Sequence, residues 1–403
     1  MKLSVEKINT RVGLKKFFLA VLLVLAVYPV CAAGQLAATP PMGWESWNHF
    51  QRNINDALIR AQAAAMVSSG MQAVGYTYVN IDGGWQYSQR DSQGNLQPDP
   101  NKFPNGIAAV ADYVHGLGLK IGIYTSPSTK TCGGDPGSYR HEQQDAETFA
   151  SWGIDYLKYD WCTCTLKLCG TQQQAFQKMA QALQNTGRPM VYKVSGYGIG
   201  NPWTWAPQIG VNLWGTGLDM KDDFYRMSQL SFGENGLESF AGPTKALGNG
   251  GWNDPDMLEI GNGGETHDEY VTQMSIWSML AAPLIAGNDL TTMDKDTLAI
   301  LTNPEVIAVD QDTLGVQGHR VWEQGPNDVW IKPLADGSIA VGVFNHVGGT
   351  TSIALHFMSL GVSGKVQARD LWNHKDLGLI QDGQPVRVAG HGATVLKLTQ
   401  QGD

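Results

Sequence analysis

The chain has 403 residues, a formal net charge of −9, 42% hydrophobic and 16% charged residues, 48 glycines and 13 tryptophans. That composition excludes a low-complexity or disordered chain, and the acidic balance argues against nucleic acid or an anionic membrane as a partner. The length exceeds one ordinary hydrophobic core, so two domains are expected.

Lys2, Lys7, Arg11, Lys15 and Lys16 precede an apolar run from Phe17 to Val30, and Ala32, Ala33 and Gly34 follow it. Residues 1–33 therefore read as a cleaved export signal. The run is too short to favour a retained span, and Val30 stands before Cys31 where a lipoprotein site wants a small residue. An exported protein, periplasmic or secreted and with no stable membrane anchor, is expected. The leader carries five basic residues and one acid, so its removal makes the chain more acidic still. Four cysteines remain, Cys132, Cys162, Cys164 and Cys169. An even count in an exported chain favours disulfides over zinc, because no two histidines lie at ligand spacing and paired Cys-x-x-Cys elements are absent.

From Thr39 to Gln311 strand-like and helix-like segments alternate. The strand candidates are Met42–Asn48, Tyr76–Trp85, Leu119–Ser126, Ile154–Cys162, Met190–Ser195, Val211–Gly215, Gly251–Asp254 and Leu284–Asn288. Between most of them lie amphipathic stretches, Asp56–Met71, Gly106–Leu117, His141–Trp152, Thr171–Thr186, Asp222–Ser231 and Asp268–Met279. Asp56 and Thr171 read as N-caps, and Gly70 and Gly118 lie where helices stop. Eight strands interleaved with helices, with no glycine-rich dinucleotide turn after the first, predict an α/β fold of (β/α)8 barrel type over residues 34–311. Beyond Gln311 the short alternating runs Val329–Lys332, Ser338–Phe344, Thr351–His356, Lys365–Asp370, Val386–Val388 and Ala393–Leu398, with turn signals at Asp336-Gly337, Gly348-Gly349 and Asp382-Gly383, predict a small antiparallel β-sandwich over residues 312–403.

Two acid-bearing stretches carry the chemistry, Tyr156-Leu157-Lys158-Tyr159-Asp160 and Trp214-Gly215-Thr216-Gly217-Leu218-Asp219. In each an Asp ends or closely follows an apolar strand, where a barrel of this kind places its active site. Two carboxyls facing each other across a small pocket can divide the cleavage of a glycosidic bond, one attacking and one protonating. Lys158 and Asp160 leave the same face of one strand, so a cation beside the pocket would favour the ionised carboxylate; an ordinary strand-end ion pair fits the spacing equally well.

Six motifs in order resemble glycoside hydrolase family 27, the α-galactosidases and α-N-acetylgalactosaminidases. They are Thr39-Pro40-Pro41-Met42-Gly43-Trp44-Glu45-Ser46-Trp47-Asn48, Tyr78-Val79-Asn80-Ile81-Asp82, Gly122-Ile123-Tyr124, Trp152 to Asp160, Gly250 to Met257, and Ala281-Ala282-Pro283-Leu284. The resemblance implies a retaining α-glycoside hydrolase with Asp160 as nucleophile and Asp219 as acid/base. Asp222 and Asp223 are rivals to Asp219 that read more naturally as first-turn residues of the next helix. It further implies a sugar pocket of Trp47, Asp82, Tyr124, Lys158, Ser195 and Asp256, and a disulfide between Cys132 and Cys162 that leaves Cys164 and Cys169 to pair locally. Without the motifs, Trp47 and Tyr124 read as core packing.

Three positions depart from the family pattern. Gly83 replaces an Asp that helps hold the galactose 4- and 6-hydroxyls, Gly215 replaces an Arg near the 2- and 3-hydroxyls, and Ser195 aligns with a Glu that excludes bulk at C2. Plain α-galactose is thereby put in doubt, and α-N-acetylgalactosaminides or α-1,6-glucans of isomaltosyl type become alternatives on the same scaffold. A non-catalytic carbohydrate-binding protein is the second alternative. The partner in each case is an oligosaccharide or polysaccharide. No metal or organic cofactor is expected, since the proposed chemistry needs only carboxyls and water.

Overall fold

The computed structural model describes residues 36–232, 251–325 and 327–401, so the leader at 1–33 and Gly250 of the fifth motif lie outside the described residues. Among the described residues no helix is long and apolar enough to cross a membrane.

Eight short parallel strands form the first layer: β1 (Met42–Glu45), β2 (Tyr78–Ile81), β3 (Lys120–Thr125), β4 (Tyr156–Asp160), β5 (Val191–Ser195), β6 (Leu213–Gly215), β7 (Trp252–Asp254) and β8 (Leu284–Ala286). Their order, β7-β6-β5-β4-β3-β2-β1-β8, is that of consecutive βα units. The ring closes just past β7, where Leu258 bridges Ala286 in parallel and exchanges hydrogen bonds with Ile285 and Gly287. Each strand candidate of the barrel contains one of these strands.

Period-two alternation along β4 explains its double burial. Leu157 and Tyr159 point outward, and Tyr159 meets Phe176 at 5.9 Å between ring centroids. Phe176 belongs to the helix Gln172–Asn185. Tyr156, Lys158 and Asp160 point inward. Tyr156 joins Tyr78, Val191 and Leu213 in an apolar cluster inside the ring. The next inward residues, Lys158 and Lys193, stand opposite each other in register, and the third pair is Asp160 and Ser195. The barrel interior thus runs from hydrocarbon through a charged layer to a polar mouth.

The helices of the barrel that bear on the argument are α1 (Asp56–Ser68), α2 (Gly106–Gly116), α3 (Glu142–Ser151), α4 (Gln172–Asn185), α5 (Phe224–Ser231) and α6 (His267–Leu280). Thr171 caps α4 in a reciprocal box with Gln174, as its sequence predicts. Asn55, and not Asp56, caps α1: its side chain accepts from the Leu58 amide, which leaves Asp56 at the first helical position. The amphipathic pattern predicted for α6 is not there: its apolar residues are spread around the helix, as burial on all sides requires. Every residue from Tyr270 to Leu280 is buried, because the C-terminal layer covers the face that would otherwise meet solvent. Thr272 Oγ1 donates to the His391 carbonyl, Lys332 Nζ to the Ser278 carbonyl, and Trp372 Nε1 to Ser275 Oγ, so each contact satisfies a polar group in that seam.

The second layer is antiparallel, with β9 (His319–Gln324), β10 (Asn327–Pro333), β11 (Ile339–Asn345), β12 (Thr351–Leu355), β13 (Lys365–Asp370), β14 (Lys375–Ile380), β15 (Gln384–Val388) and β16 (Ala393–Gln401). Six strands form the sheet β14-β13-β16-β11-β10-β9, and β12 pairs with β15. The sequence pattern missed β9 and β14, the two edges. Both lack clean alternation, and each pairs with its neighbour through a register shift, which is how edges are blunted against further pairing.

Candidate active site

Eight loops and strand ends converge at the carboxyl end of the barrel, and all eight sequence-predicted catalytic and sugar-pocket residues come from them. Trp47 follows β1, Asp82 follows β2, Tyr124 lies on β3, Lys158 and Asp160 on β4, Ser195 on β5, while Asp219 and Asp256 follow β6 and β7. Parallel strands require this, since every βα loop leaves the ring at the same end.

Lys158 Nζ donates to Glu45 Oε1 and, at 2.7 Å, to Asp82 Oδ2. Its hydrogen bonds go to these two acids, so the strand-end ion pair with Asp160 is not formed, while its charge still favours the ionised Asp160 carboxylate as expected. Burial works against the Lys158 ammonium, but Asp82 and Glu45 more than offset it and hold the group protonated well above its ordinary range. Glu45 is fully buried with Oε2 unpartnered, and burial pushes its carboxyl up to about 7 against the pull of Lys158 and Lys193. Lys193 stands 2.7 Å from Asp254 Oδ2 and 4.0 Å from Asp256 Oδ1. Glu45, Lys193 and Asp254 were missed at the sequence level. The signal was present in Val191-Tyr192-Lys193-Val194-Ser195, which repeats the inward polar spacing of Tyr156-Leu157-Lys158-Tyr159-Asp160.

Asp160 is 9% exposed. Tyr124 donates its hydroxyl to Oδ2 at 3.3 Å, while Oδ1 has no hydrogen-bond partner. Burial raises its carboxyl to about 6; Lys158 pulls it down, and the charge of Asp219 pushes it up again. Asp219 sits at the rim, solvent-accessible and without a hydrogen-bond partner among the described residues. Desolvation by the surrounding loops, then the charge of Asp256, raise it above the usual carboxylate range. The two rivals are otherwise engaged. Asp223 caps α5 by accepting from the Arg226 amide, and Asp222 accepts from the Tyr270 hydroxyl at 2.8 Å and from the Gly264 amide. Neither therefore lies in the first turn as predicted: Asp223 is the cap and Asp222 precedes it.

Asp256, in the left-handed region at φ +90°, accepts from the Met220 amide at 2.8 Å and so ties the β7 loop to the segment carrying Asp219. Tyr197, another residue the sequence did not single out, is also left-handed, at φ +57°. A bulky side chain rarely adopts that conformation, and it places the hydroxyl 3.9 Å from Cys132 Sγ, which is itself 3.7 Å from Asp160 Oδ2. Gly198 makes the turn possible: a Cβ there would stand 2.4 Å from the Thr216 carbonyl oxygen. Cys132 and Cys162 are disulfide-bonded with Cα atoms 4.9 Å apart, and Cys164 and Cys169 with Cα atoms 5.6 Å apart.

At the two departures the pocket has room. A Cβ on Gly83 would make ordinary contact with Tyr124 Cε1 at 3.4 Å and Trp47 Cζ3 at 3.5 Å, and one on Gly215 with Ser195 Cα at 3.4 Å. A cavity of about 520 Å³ reaches Asp219 and Trp47. A larger one, about 900 Å³, lies outside the barrel along α3 and α4 and contains none of these acids.

The closed parallel barrel, with Asp160 and Asp219 at its carboxyl end, and the trailing β-sandwich share their architecture with known glycoside hydrolases. Residues 39–312 match the family model "Alpha galactosidase A", and residues 324–398 match "Alpha galactosidase C-terminal beta sandwich domain". The chain is 45% identical over 370 residues to alpha-galactosidase 2 of Arabidopsis thaliana, covering 91% of each chain. It is 38% identical to the alpha-N-acetylgalactosaminidase of Gallus gallus, covering 86% of this chain and 90% of that one. Alpha-galactosidase I of Mortierella vinacea superposes with a TM-score of 0.86 at 37% identity, covering 92% of this chain and 99% of that one. The chain belongs to the α-galactosidase family, glycoside hydrolase family 27, and is a retaining α-glycoside hydrolase.

Proposed function

We propose that Asp160 is the nucleophile and Asp219 the acid/base of this hydrolase. The observation that carries the assignment is the buried Asp160 carboxyl, with Tyr124 holding one oxygen and the other free, close enough to Asp219 for the two charges to interact. In the first step Oδ1 of Asp160 attacks the anomeric carbon while Asp219 gives its proton to the departing oxygen. In the second, Asp219 takes a proton from water as that water displaces the Asp160 ester, restoring both groups. An Asp160 carboxyl near 6 is largely ionised at neutral pH, as a nucleophile must be. The raised carboxyl of Asp219 favours the protonated form that an acid needs.

Trp47 supplies an aromatic wall for a pyranose; Asp82, Lys158 and Asp256 fix hydroxyls, Tyr124 orients the nucleophile, and Ser195 borders it. The substrate is an α-linked sugar on an oligosaccharide or polysaccharide. The space at Gly83 and Gly215 removes two charged contacts, so an N-acetylated or otherwise substituted sugar, or glucose, fits the pocket better than plain galactose. Residues 1–33 serve as an export signal, the barrel occupies 34–311 and the sandwich 312–403. The enzyme works in the periplasm or outside the cell, a location that its two disulfides favour.

Incubation with 4-nitrophenyl α-galactoside, α-glucoside and α-N-acetylgalactosaminide tests the assignment, with Asp160→Ala and Asp219→Ala as controls. Turnover of one glycoside, abolished by Asp160→Ala, is expected. Saccharide binding without turnover of any α-glycoside, unaffected by either substitution, would instead identify a carbohydrate-binding protein.

A further inference from the structure

We infer that Cys132, Cys162 and Asp160 form, when the bridge between the two cysteines is open, a site for a thiophilic divalent cation such as Zn2+, and that the bound ion silences the enzyme by holding its nucleophile. The silencing rests on the reading of Asp160 as nucleophile; the binding does not. Among the described residues, this is the one group in which three cysteine, histidine or acidic side chains bring ligand atoms within 4.8 Å of one another. Cys132 Sγ lies 3.7 Å from Asp160 Oδ2. A tetrahedral zinc with arms of about 2.3 Å to sulfur and about 2.0 Å to oxygen sets two such ligands about 3.5 Å apart, so the ion needs little movement of either. Two thiolates and one carboxylate suit zinc, whereas Mg2+ and Ca2+ ask for shells of oxygen that two sulfurs do not supply.

The site outlasts the bridge because other contacts hold its two sides together. Cys132 stands on the loop after β3, and Cys162 lies two residues past the end of β4. Next to Cys162, Thr163 Oγ1 donates to the Lys130 carbonyl at 3.0 Å and lies 2.5 Å from Ser128 Oγ, which ties the two loops beside the sulfurs. The turn carrying Cys132 is closed by the Thr131 amide, which donates to the Asp135 carbonyl at 2.8 Å. Arg52 clamps that turn from outside, donating to the Gly133 carbonyl at 2.8 Å and to the Asp135 carboxylate at 2.7 and 2.8 Å. Opening the bridge therefore leaves both thiols beside Asp160. Cys162 is buried and Cys132 exposed, so reductant and ion reach the pair from the Cys132 side.

A dithiol opens the bridge by passing two electrons and two protons to the cysteines and leaving as its own disulfide. The cation then displaces both thiol protons to solvent, and Asp160 joins as the carboxylate. An exported chain passes through the open state in any case, since the compartment of synthesis keeps thiols reduced. With Oδ2 on the metal, Asp160 is withheld from attack.

The test uses the full chain and its Cys164→Ser/Cys169→Ser variant, in which a single bridge is left to open. Each is reduced with tris(2-carboxyethyl)phosphine, freed of it under argon and titrated with ZnCl2, while zinc content and turnover of an aryl α-glycoside are followed together. One tightly held zinc per chain is expected in the reduced form of both proteins and none in the oxidised form, with at least about a tenfold fall in turnover that EDTA reverses. MgCl2 is expected to do neither. Cobalt in place of zinc gives a sulfur-to-metal charge-transfer absorption, a readout independent of activity. Reduced Cys132→Ser is expected to hold zinc more weakly by more than the roughly 10–100-fold that loss of an outer-shell contact costs. Equal zinc in the two forms, zinc in neither, or binding undiminished in Cys132→Ser overturns the site. Loss of the fold on reduction, read by circular dichroism, overturns it as well, because the noncovalent ties then fail to keep the sulfurs together. One zinc bound with turnover intact leaves the metal site standing and overturns Asp160 as the nucleophile. Zinc content decides the site even where no aryl glycoside is turned over.

Discussion

Restoring one carboxylate at Gly83 is the sharpest test of why this pocket differs from that of a plain α-galactosidase. The backbone at Gly83 is not left-handed, and the nearest atoms to an added Cβ are Tyr124 Cε1 at 3.4 Å, Trp47 Cζ3 at 3.5 Å and Tyr124 Cδ1 at 3.7 Å. All three are ordinary van der Waals distances, so the Cβ of Gly83→Asp is accommodated without moving the main chain. A charged hydrogen bond to a sugar hydroxyl contributes roughly 1.5–3 kcal/mol. At about 1.4 kcal/mol per factor of ten, that is roughly a tenfold to hundredfold gain in kcat/KM. The neighbouring Asp82 repels the new charge, while Lys158 already serves Asp82 and Glu45, so the lower end is expected. The assay is the ratio of kcat/KM for 4-nitrophenyl α-galactoside to that for the α-glucoside, with thermal unfolding as a check on the fold. A ratio that stays level or falls in a normally folded variant would refute the view that the missing carboxylate governs discrimination at this face.

Other outcomes follow from the same geometry. The activity–pH profile should fall on the acid side near 6, because Asp160 must be ionised to attack and burial has raised it to that value; Tyr124→Phe removes a hydrogen bond to the carboxylate and should move this limb to higher pH. The Asp219 carboxyl is likewise raised by burial and by Asp256, so the limb that reports loss of its proton should lie above the usual carboxylate range. Lys158→Met leaves Glu45 and Asp82 buried without their cation and should cost about 3–5 kcal/mol in denaturant unfolding, whereas replacement of an exposed lysine such as Lys365 should cost almost nothing. Cys132→Ser opens a loop of sequence separation 30 and should cost about 3–4 kcal/mol in the chain-entropy model, read as a lowered unfolding midpoint that reductant does not lower further through this bridge.

The sequence by itself determined the architecture and marked the two candidate acids. Hydrophobic alternation and helix periodicity are local properties, so eight strands and their helices could be read before any contact was known, and the Asp160 and Asp219 motifs marked two strand ends. Local pattern failed where tertiary surroundings reversed it. The expectation of an amphipathic α6 fails because its apolar residues run around the whole helix, which lies buried between barrel and sandwich, and the edge strands β9 and β14 lack the alternation that a buried face would impose. Only the closed barrel decided the electrostatics. Glu45, Asp82, Lys158, Lys193 and Asp254 come from five places in the chain, and their pairing arises from the radius of the ring and the strand register, which no stretch of sequence encodes. Which acids the Lys158 ammonium would hydrogen-bond depended on which carboxyls the barrel brought within its reach, and that distance exists only once the ring is closed.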